Sequence, residues 1–262
     1  MDLILEKYQE EPNMKAIKSE YLWIKEILNN KFSYLIFLLI LIGTFIGGYS
    51  INQSNNFYAN VLDIMHNDYF LLCIFITCII NVYNFCFYLL DNISYLIRQK
   101  NFNALLLNIN KKIFLSNLII FLIIILLLIT TSIFFCYGSF SLIIDFKTLV
   151  YIIWNIIKLY LFFSIISNIF MCLYILFNEK DFILISVFFI IFLFLALILK
   201  PYLIVSDFSK FPLIFIWCLS YIEYYSFSLD LFSFSIHFVI LTIIYLFLFE
   251  YLRKKEKINY EV

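Results

Sequence analysis

Long apolar runs alternate with short polar segments along most of the chain, and this pattern predicts a bundle of membrane-spanning helices. A helix needs about 20 mostly apolar residues to cross the hydrocarbon core of a bilayer, where its backbone must satisfy its own hydrogen bonds. Six stretches meet this requirement, at approximately residues 33–51, 69–90, 113–135, 148–177, 182–199 and 233–251. We therefore predict an all-α integral membrane protein with a six-span transmembrane domain over residues 33–251.

A second helical pattern precedes the first span, within a polar N-terminal region of residues 1–32. Apolar positions there recur every three or four residues, while charged residues take the opposite face. This predicts an amphipathic helix that lies at the membrane surface, although a short coiled coil has a similar pattern. The residues that define the two faces of this interfacial helix include Ile17, Glu20, Tyr21, Ile24 and Lys25.

The loop between the second and third spans, residues 91–112, contains the segment SYLIRQKNFNALLLNINKK at 94–112. Its apolar residues gather loosely on one side of a helix and its basic and amide residues on the other. We expect this segment to lie along the membrane surface and to offer a face to a cytoplasmic partner. The alternative is that its basic residues serve only to orient the protein in the membrane.

The region between the fifth and sixth spans, residues 200–232, is too long and too apolar for a simple loop. Its most apolar part, residues 212–222, has only eleven residues and is too short to span a bilayer. Two half-helices that dip into the outer leaflet, with Pro201 and Pro212 near their starts, fit both facts. A seventh span is the alternative, but it buries charged residues or places the basic tail outside.

Polar residues within the spans identify positions that must face protein or water rather than lipid. Thr77, Asn81, Asn84 and Tyr88 follow one face of the second span at intervals of four, three and four residues. Two interpretations stay open for this stripe. It forms hydrogen bonds between helices inside the bundle, or it lines a subunit interface or substrate path.

Lys158 is a charged residue inside the fourth span. A buried charge in a membrane is a candidate for function. The span is longer than a bilayer requires, however, and this favours a lysine whose ammonium group reaches the outer headgroups by snorkelling. In the first span, Gly43 and Gly47 form a G-x-x-x-G pattern that allows close contact between helices.

Lysine and arginine segregate to one side of the six crossings. Fourteen of the 18 lie within residues 7–31, 98–112, 180 and 253–257, three lie on the other side, and the last is Lys158. By the positive-inside rule, both termini and the basic tail at 252–262 are predicted to be cytoplasmic. Six acidic residues, including Asp230, are predicted to lie outside.

Composition supports a membrane protein and argues against several kinds of chemistry. The chain is 65% hydrophobic and 14% charged, whereas soluble proteins are about 45–50% apolar and 25% charged. Its net charge is zero, so we expect no nucleic-acid partner. The six cysteines and two histidines show no metal-ligand spacing, and four glycines are too few for a phosphate-binding loop. We expect neither an enzyme nor a metal site, and we leave open a disulfide between Cys136 and Cys218.

The order of these parts resembles the membrane subunits of ABC-2-type exporters, six-span permeases that pair with a separate ATPase. The sequence AIKSEYLWIKE at 16–26 is similar to the start of small permeases in bacteriocin export and self-protection systems. The sequence NFNALLLNINKK at 101–112 is similar to the family's coupling segment. Asn101 and Phe102 stand where the family has Gly-Thr, and Ile109 stands where proline is common.

The resemblance implies a bacterial cytoplasmic-membrane permease that works with a second copy or a paralogous permease on two cytoplasmic ABC ATPase subunits. ATP and magnesium bind to the ATPase, and this chain binds no cofactor. The substrate is an amphipathic peptide toxin, antimicrobial peptide or lipid, taken up from the membrane lipid or cytoplasm. The residues implied to couple to the ATPase are Arg98, Asn101, Phe102, Leu105, Leu106 and Leu107.

Two other functions remain open from the sequence. The chain is a non-transporting membrane scaffold, sensor or immunity protein, or it is a membrane enzyme of an unrecognised type. Disruption of residues 98–107 leaves the activity of a scaffold intact, whereas it abolishes export by a permease.

Overall fold

The structure is a computed structural model that describes residues 31–49, 57–90, 102–135, 146–177, 179–203 and 227–260. These residues form helices and short connections and contain no strand. The helices are α1 (Lys31–Tyr49), α2 (Phe57–His66), α3 (Asp68–Leu90), α4 (Phe102–Phe134), α5 (Phe146–Leu176), α6 (Glu179–Leu203) and α7 (Phe227–Tyr260).

Within the described part of the chain, six helices are long and apolar enough to cross a membrane, namely α1 and α3 to α7. This confirms the predicted all-helical architecture with six long apolar segments, which is that of a multi-pass membrane protein. The predicted interfacial helix before residue 31 lies outside the described residues, and so does most of the predicted re-entrant region. Pro201 belongs to the last turn of α6, so the expectation that it begins a separate half-helix is wrong.

The short helix α2 was not predicted from the sequence. Its buried residues Val61, Ile64 and Met65 pack against the bundle. Asn67 separates α2 from α3, and its side-chain oxygen accepts hydrogen bonds from the backbone N–H groups of Tyr69 (3.0 Å) and Phe70 (3.2 Å). Asparagine is a favoured N-cap because it satisfies these otherwise unpaired groups. The cap fixes where the second spanning helix begins.

Helix α4 differs from the prediction at its start. We expected a surface segment to end near residue 112 and a span to begin at 113, but one continuous helix begins at Phe102. Its 33 residues give a length of about 50 Å, against about 30 Å for the hydrocarbon core of a bilayer. Several turns of α4 therefore extend beyond the apolar layer if its later part crosses it.

Helix α3 lies at the centre of the bundle. About two thirds of its spanning window (67%) is buried inside the protein, against 33% for α1 and 17% for α7. A β-carbon at Gly43 of α1 would lie 2.7 Å from the β-carbon of Cys73, and one at Gly47 would lie 2.9 Å from Ile64. Both distances are too short for a β-carbon, so only glycine fits at these positions. The G-x-x-x-G pattern therefore does allow the close helix contact that the sequence predicted.

Two helix ends place basic residues at the same end of the bundle. The side-chain amide of Asn110 on α4 donates a 3.0 Å hydrogen bond to the hydroxyl of Tyr245 on α7, so the antiparallel helices are adjacent there. Lys111 lies next to Asn110, and Arg253 and Lys254 lie about two turns beyond Tyr245. We call this the basic end of the bundle, defined by Lys111, Lys112, Arg253 and Lys254.

Candidate functional site

The polar stripe predicted on the second span faces the interior of the bundle. Thr77, Asn81 and Asn84 are at most 2% exposed. Tyr88 lies on the same helix, but its side chain is outside what the structure describes. The three described side chains therefore face the inside of the bundle and not lipid, as expected of a stripe that must face protein or water.

Asn81 links α3 to α4 through two hydrogen bonds. Its side-chain N–H donates to the Oδ1 of Asn117 at 3.0 Å, and the hydroxyl of Ser116 donates to its Oδ1 at 2.9 Å. All three residues are buried. Amide and hydroxyl groups within the apolar core need such partners because no water competes there. We call this group the Asn81 junction.

Replacing Asn117 with leucine is expected to destabilise the bundle by about 1 kcal/mol, because the Asn81 N–H loses its acceptor. Denaturant or SDS titration of the purified protein measures this change. Substituting leucine for Phe114, which is 47% exposed on the same helix, is the matched control and should change stability less. A double-mutant cycle of Asn81→Leu and Asn117→Leu with zero coupling energy would contradict the hydrogen bond.

Lys158 forms a buried ion pair with Asp230. The Lys158 Nζ lies 2.9 Å from each carboxylate oxygen of Asp230, and the two side chains are 0% and 5% exposed. The expectation that Lys158 snorkels to the headgroups is therefore wrong, because its ammonium group has a carboxylate partner inside the bundle. Asp230, which was assigned to the outer loop, lies in the first turn of α7.

Trp154 contributes a second donor to the same carboxylate. Its indole Nε1–H donates to Asp230 Oδ2 at 2.5 Å. Trp154 and Lys158 are four residues apart on α5, so they project from one face of that helix. Phe234 packs edge-on against the Trp154 ring with a centroid distance of 5.3 Å. Two N–H donors on α5 thus bind one carboxylate of α7. We call Trp154, Lys158 and Asp230 together the Asp230 site.

A small cavity lies beside α5 at Asn155 and Leu159, which directly follow Trp154 and Lys158 in the chain. Met65 and Leu71 line its other side. The Asn155 side-chain N–H donates to the backbone carbonyl of Tyr151 at 2.7 Å. Its Oδ1 is buried and accepts no hydrogen bond from the residues that the structure describes. The polar face of α5 is thus split between the Asp230 site and this cavity.

The residues predicted to couple to an ATPase lie partly at the basic end. Leu105 is half-buried, Leu106 is fully buried, and Leu107 is 62% exposed. Phe102 is the first residue of α4, without a described side chain, and Arg98 and Asn101 lie outside the described residues. The predicted interfacial residues Ile17, Glu20, Tyr21, Ile24 and Lys25 are outside them as well. Among the residues predicted to couple to an ATPase, Leu107 is the most exposed of those whose side chains the structure describes.

Metal-binding clusters are absent from the described residues, where no three histidine, cysteine or acidic side chains come together. Cys73, Cys78, Cys86 and Cys172 are free thiols. Cys136 and Cys218 fall outside the described part of the chain, so the disulfide left open from the sequence stays untested.

Sequence reasoning did not identify Trp154 or Asp230. A lysine inside a span indicates that it has a partner, and a carboxylate is one of the groups that can serve. Periodicity along one helix, however, does not show which of several acidic residues far away in the chain supplies that carboxylate. The partner of Lys158 is 72 positions later in the sequence.

Comparisons of the chain with protein-family models, with curated proteins and with solved structures find no match. The class that the fold defines is a multi-pass α-helical membrane protein with a buried ion pair.

Proposed function

We propose that the chain is the permease subunit of an ATP-driven exporter of the ABC-2 type, which moves an amphipathic substrate across or out of a bacterial cytoplasmic membrane. It acts together with a second copy or a paralogous permease. Two cytoplasmic ATPase subunits bind ATP and magnesium and supply the free energy. The layout of six spans, together with the resemblance of residues 16–26 and 101–112, supports this proposal.

The observation that carries the proposal is the length of α4 and the exposure of Leu107 in its first part. At the basic end this helix is longer than a bilayer requires, and Leu107 is exposed beside the buried Leu106 and Ile109. An exposed apolar side chain on a helix anchored from behind is a suitable contact for a soluble partner. A force applied there acts on the body of the bundle, because the same helix continues through it.

Hydrogen bonds provide a route from α4 to its neighbours. The Asn81 junction joins α4 to α3, and the Asn110–Tyr245 bond joins it to α7. Movement of α4 by an ATPase is therefore passed to the central helix and to the last helix. Under this proposal, the two permeases rock together and open a path between them.

The proposal is tested by photo-crosslinking from position 107 in native membranes. A photoreactive amino acid there should capture an ATPase that has a phosphate-binding loop and no spans of its own. The same amino acid at Phe177, which is 44% exposed at another helix end, is the control and should not capture it. Export by vesicles that contain the purified chain alone would overturn the proposal.

Orientation in the membrane forms part of the proposal, with the basic end in the cytoplasm. Asp63 on α2 and Lys180 on α6 are both exposed and are assigned to opposite sides. A cysteine at position 63 should react with a membrane-impermeant thiol reagent in intact cells, and one at 180 should react only after lysis. Serine at positions 136 and 218 lowers background labelling, and the chain with these two changes alone measures the labelling that remains at the other cysteines. The reverse labelling pattern would invert the orientation.

A further inference from the structure

The Asp230 site has the chemistry of an anion-binding site that the protein fills with its own carboxylate. Lys158 supplies a positive charge and Trp154 an N–H donor, and both donate from α5 to an acceptor on a different helix. Charge-assisted hydrogen bonds of this kind suit a carboxylate or a phosphate equally well. The donors therefore do not depend on the carboxylate being that of Asp230.

The helix that carries Asp230 is the least embedded of the six spans. Only 17% of the spanning window of α7 is buried, and its main neighbour in the bundle is α5. Asp230 lies three residues after the start of α7, so moving it requires displacement of the first turn only. Such a displacement would leave the two donors on α5 without their present acceptor.

Apolar side chains flank the site on the surface of the bundle. Ile153 and Ile157 of α5 are 50% and 43% exposed, and Leu231 of α7 is 41% exposed. In a bilayer these side chains face the acyl chains of lipids. A molecule that approaches the site from the membrane therefore meets an apolar surface first and the buried Lys158 ammonium behind it.

We infer that the Asp230 site binds the anionic headgroup of a lipid-like amphiphile, a carboxylate or phosphate on an acyl chain, which replaces the carboxylate of Asp230. The acyl chain lies along Ile153, Ile157 and Leu231, and the headgroup accepts hydrogen bonds from Lys158 and Trp154. Asp230 is then a built-in competitor that occupies the site when no ligand is present. This rests on the proposed function in one respect, since it assigns the exporter a substrate with a negative charge.

Asp230 must leave the site before a ligand binds, and this lowers the apparent affinity of the wild-type chain. The observed affinity is reduced by the fraction of molecules in which the site is open. Asp230→Asn removes the competing charge and keeps the shape of the side chain. We expect this variant to bind an anionic amphiphile about tenfold more tightly than the wild type. Loss of both charges in Lys158→Met/Asp230→Leu should abolish any preference for an anion.

The test uses the purified full-length chain in phosphatidylcholine nanodiscs without an ATPase. Phenylalanine replaces Trp23 and Trp217, so Trp154 is the remaining tryptophan of the three in the chain. Dibromostearate should quench Trp154 fluorescence, and its uncharged methyl ester should quench it less. The acid should act at lower concentration in Asp230→Asn than in the wild type, and acid and ester should act alike in the double variant.

Equal quenching by acid and ester in the wild type and in Asp230→Asn would overturn the inference. If Asp230→Asn does not fold, the wild type and the double variant still test the inference. Of these two, only the wild type should prefer the acid over the ester. The lipid assignment would be overturned by two results together. Dibromostearate would quench Trp154 no better than its methyl ester does, and an apolar peptide would protect Trp154 from quenching through its C-terminal carboxylate.

The inference and the proposed function can fail separately. A preference for the acid that depends on Lys158, without any ATPase captured from position 107, overturns the exporter and retains the site. Capture of the ATPase, with equal quenching by acid and ester, retains the exporter and overturns the anionic ligand.

Discussion

Replacing Lys158 alone with methionine is expected to lower the free energy of unfolding by about 3–5 kcal/mol, because it leaves the buried carboxylate of Asp230 without its cationic partner. Both side chains are at most 5% exposed, so water cannot take the place of the ammonium group without rearrangement. The indole N–H of Trp154 still donates to Asp230 and offsets part of the loss. Unfolding in mixed detergent, followed by circular dichroism, measures the change.

The double variant Lys158→Met/Asp230→Leu should recover most of this stability. Removing both members of a buried pair and filling the space with apolar side chains is often neutral or stabilising, whereas removing one is costly. Ile157→Ala, next to Lys158 but 43% exposed, controls for the effect of changing α5 at its lipid-facing side. A single Lys158→Met variant as stable as the wild type would show that the two charges are not paired in the folded protein.

If the chain couples to an ATPase as proposed, Leu107→Asp should release that ATPase. If Leu107 is a central apolar contact, an aspartate there costs about 2 kcal/mol or more of binding, which is roughly a thirtyfold loss of affinity. The side chain is 62% exposed, so the substitution should leave the fold of the chain intact. Co-purification of the ATPase with the tagged chain measures binding, and melting of the detergent-solubilised chain measures folding.

Two further variants separate binding from folding at this end of α4. Phe177→Asp places the same charge on an exposed side chain away from the coupling segment and should leave the ATPase bound. Leu106→Asp places it in the interior, where Leu106 is fully buried, and should unfold the helix start instead of acting on the contact alone. Unchanged recovery of the ATPase with Leu107→Asp would show that the contact lies elsewhere.

The six long helices could be predicted because a bilayer demands a length of apolar sequence that little else in the chain provides. Helix α2 was missed because its ten residues lie in a mostly polar connection and are too few for a reliable periodic signal. The start of α4 was misplaced for a related reason. Its first turns are basic and amphipathic, and composition alone does not show that the helix continues into the apolar run without a break.

Buried polar contacts were only half visible in the sequence. The sequence placed Asn81 on a face that must contact protein or water, and Asn117 is a polar residue within the apolar run of the third span, yet nothing in either pattern joined them. Lys158 stood out in the same way. Hydrogen bonds and ion pairs between helices depend on the rotation and register of both partners, and a periodicity gives these for each helix separately. Only the assembled bundle brings Asp230 to Lys158.

The uninterrupted course of α4 has a mechanical consequence. Neither glycine nor proline occurs from Phe102 to Phe134, so the helix has no residue at which sharp bending is expected. At its far end, Thr131 and Phe135 lie so close to Gly48 that a β-carbon there would clash with both. A tilt of α4 imposed near Leu107 would therefore also displace the other end of this rigid helix, where it contacts α1.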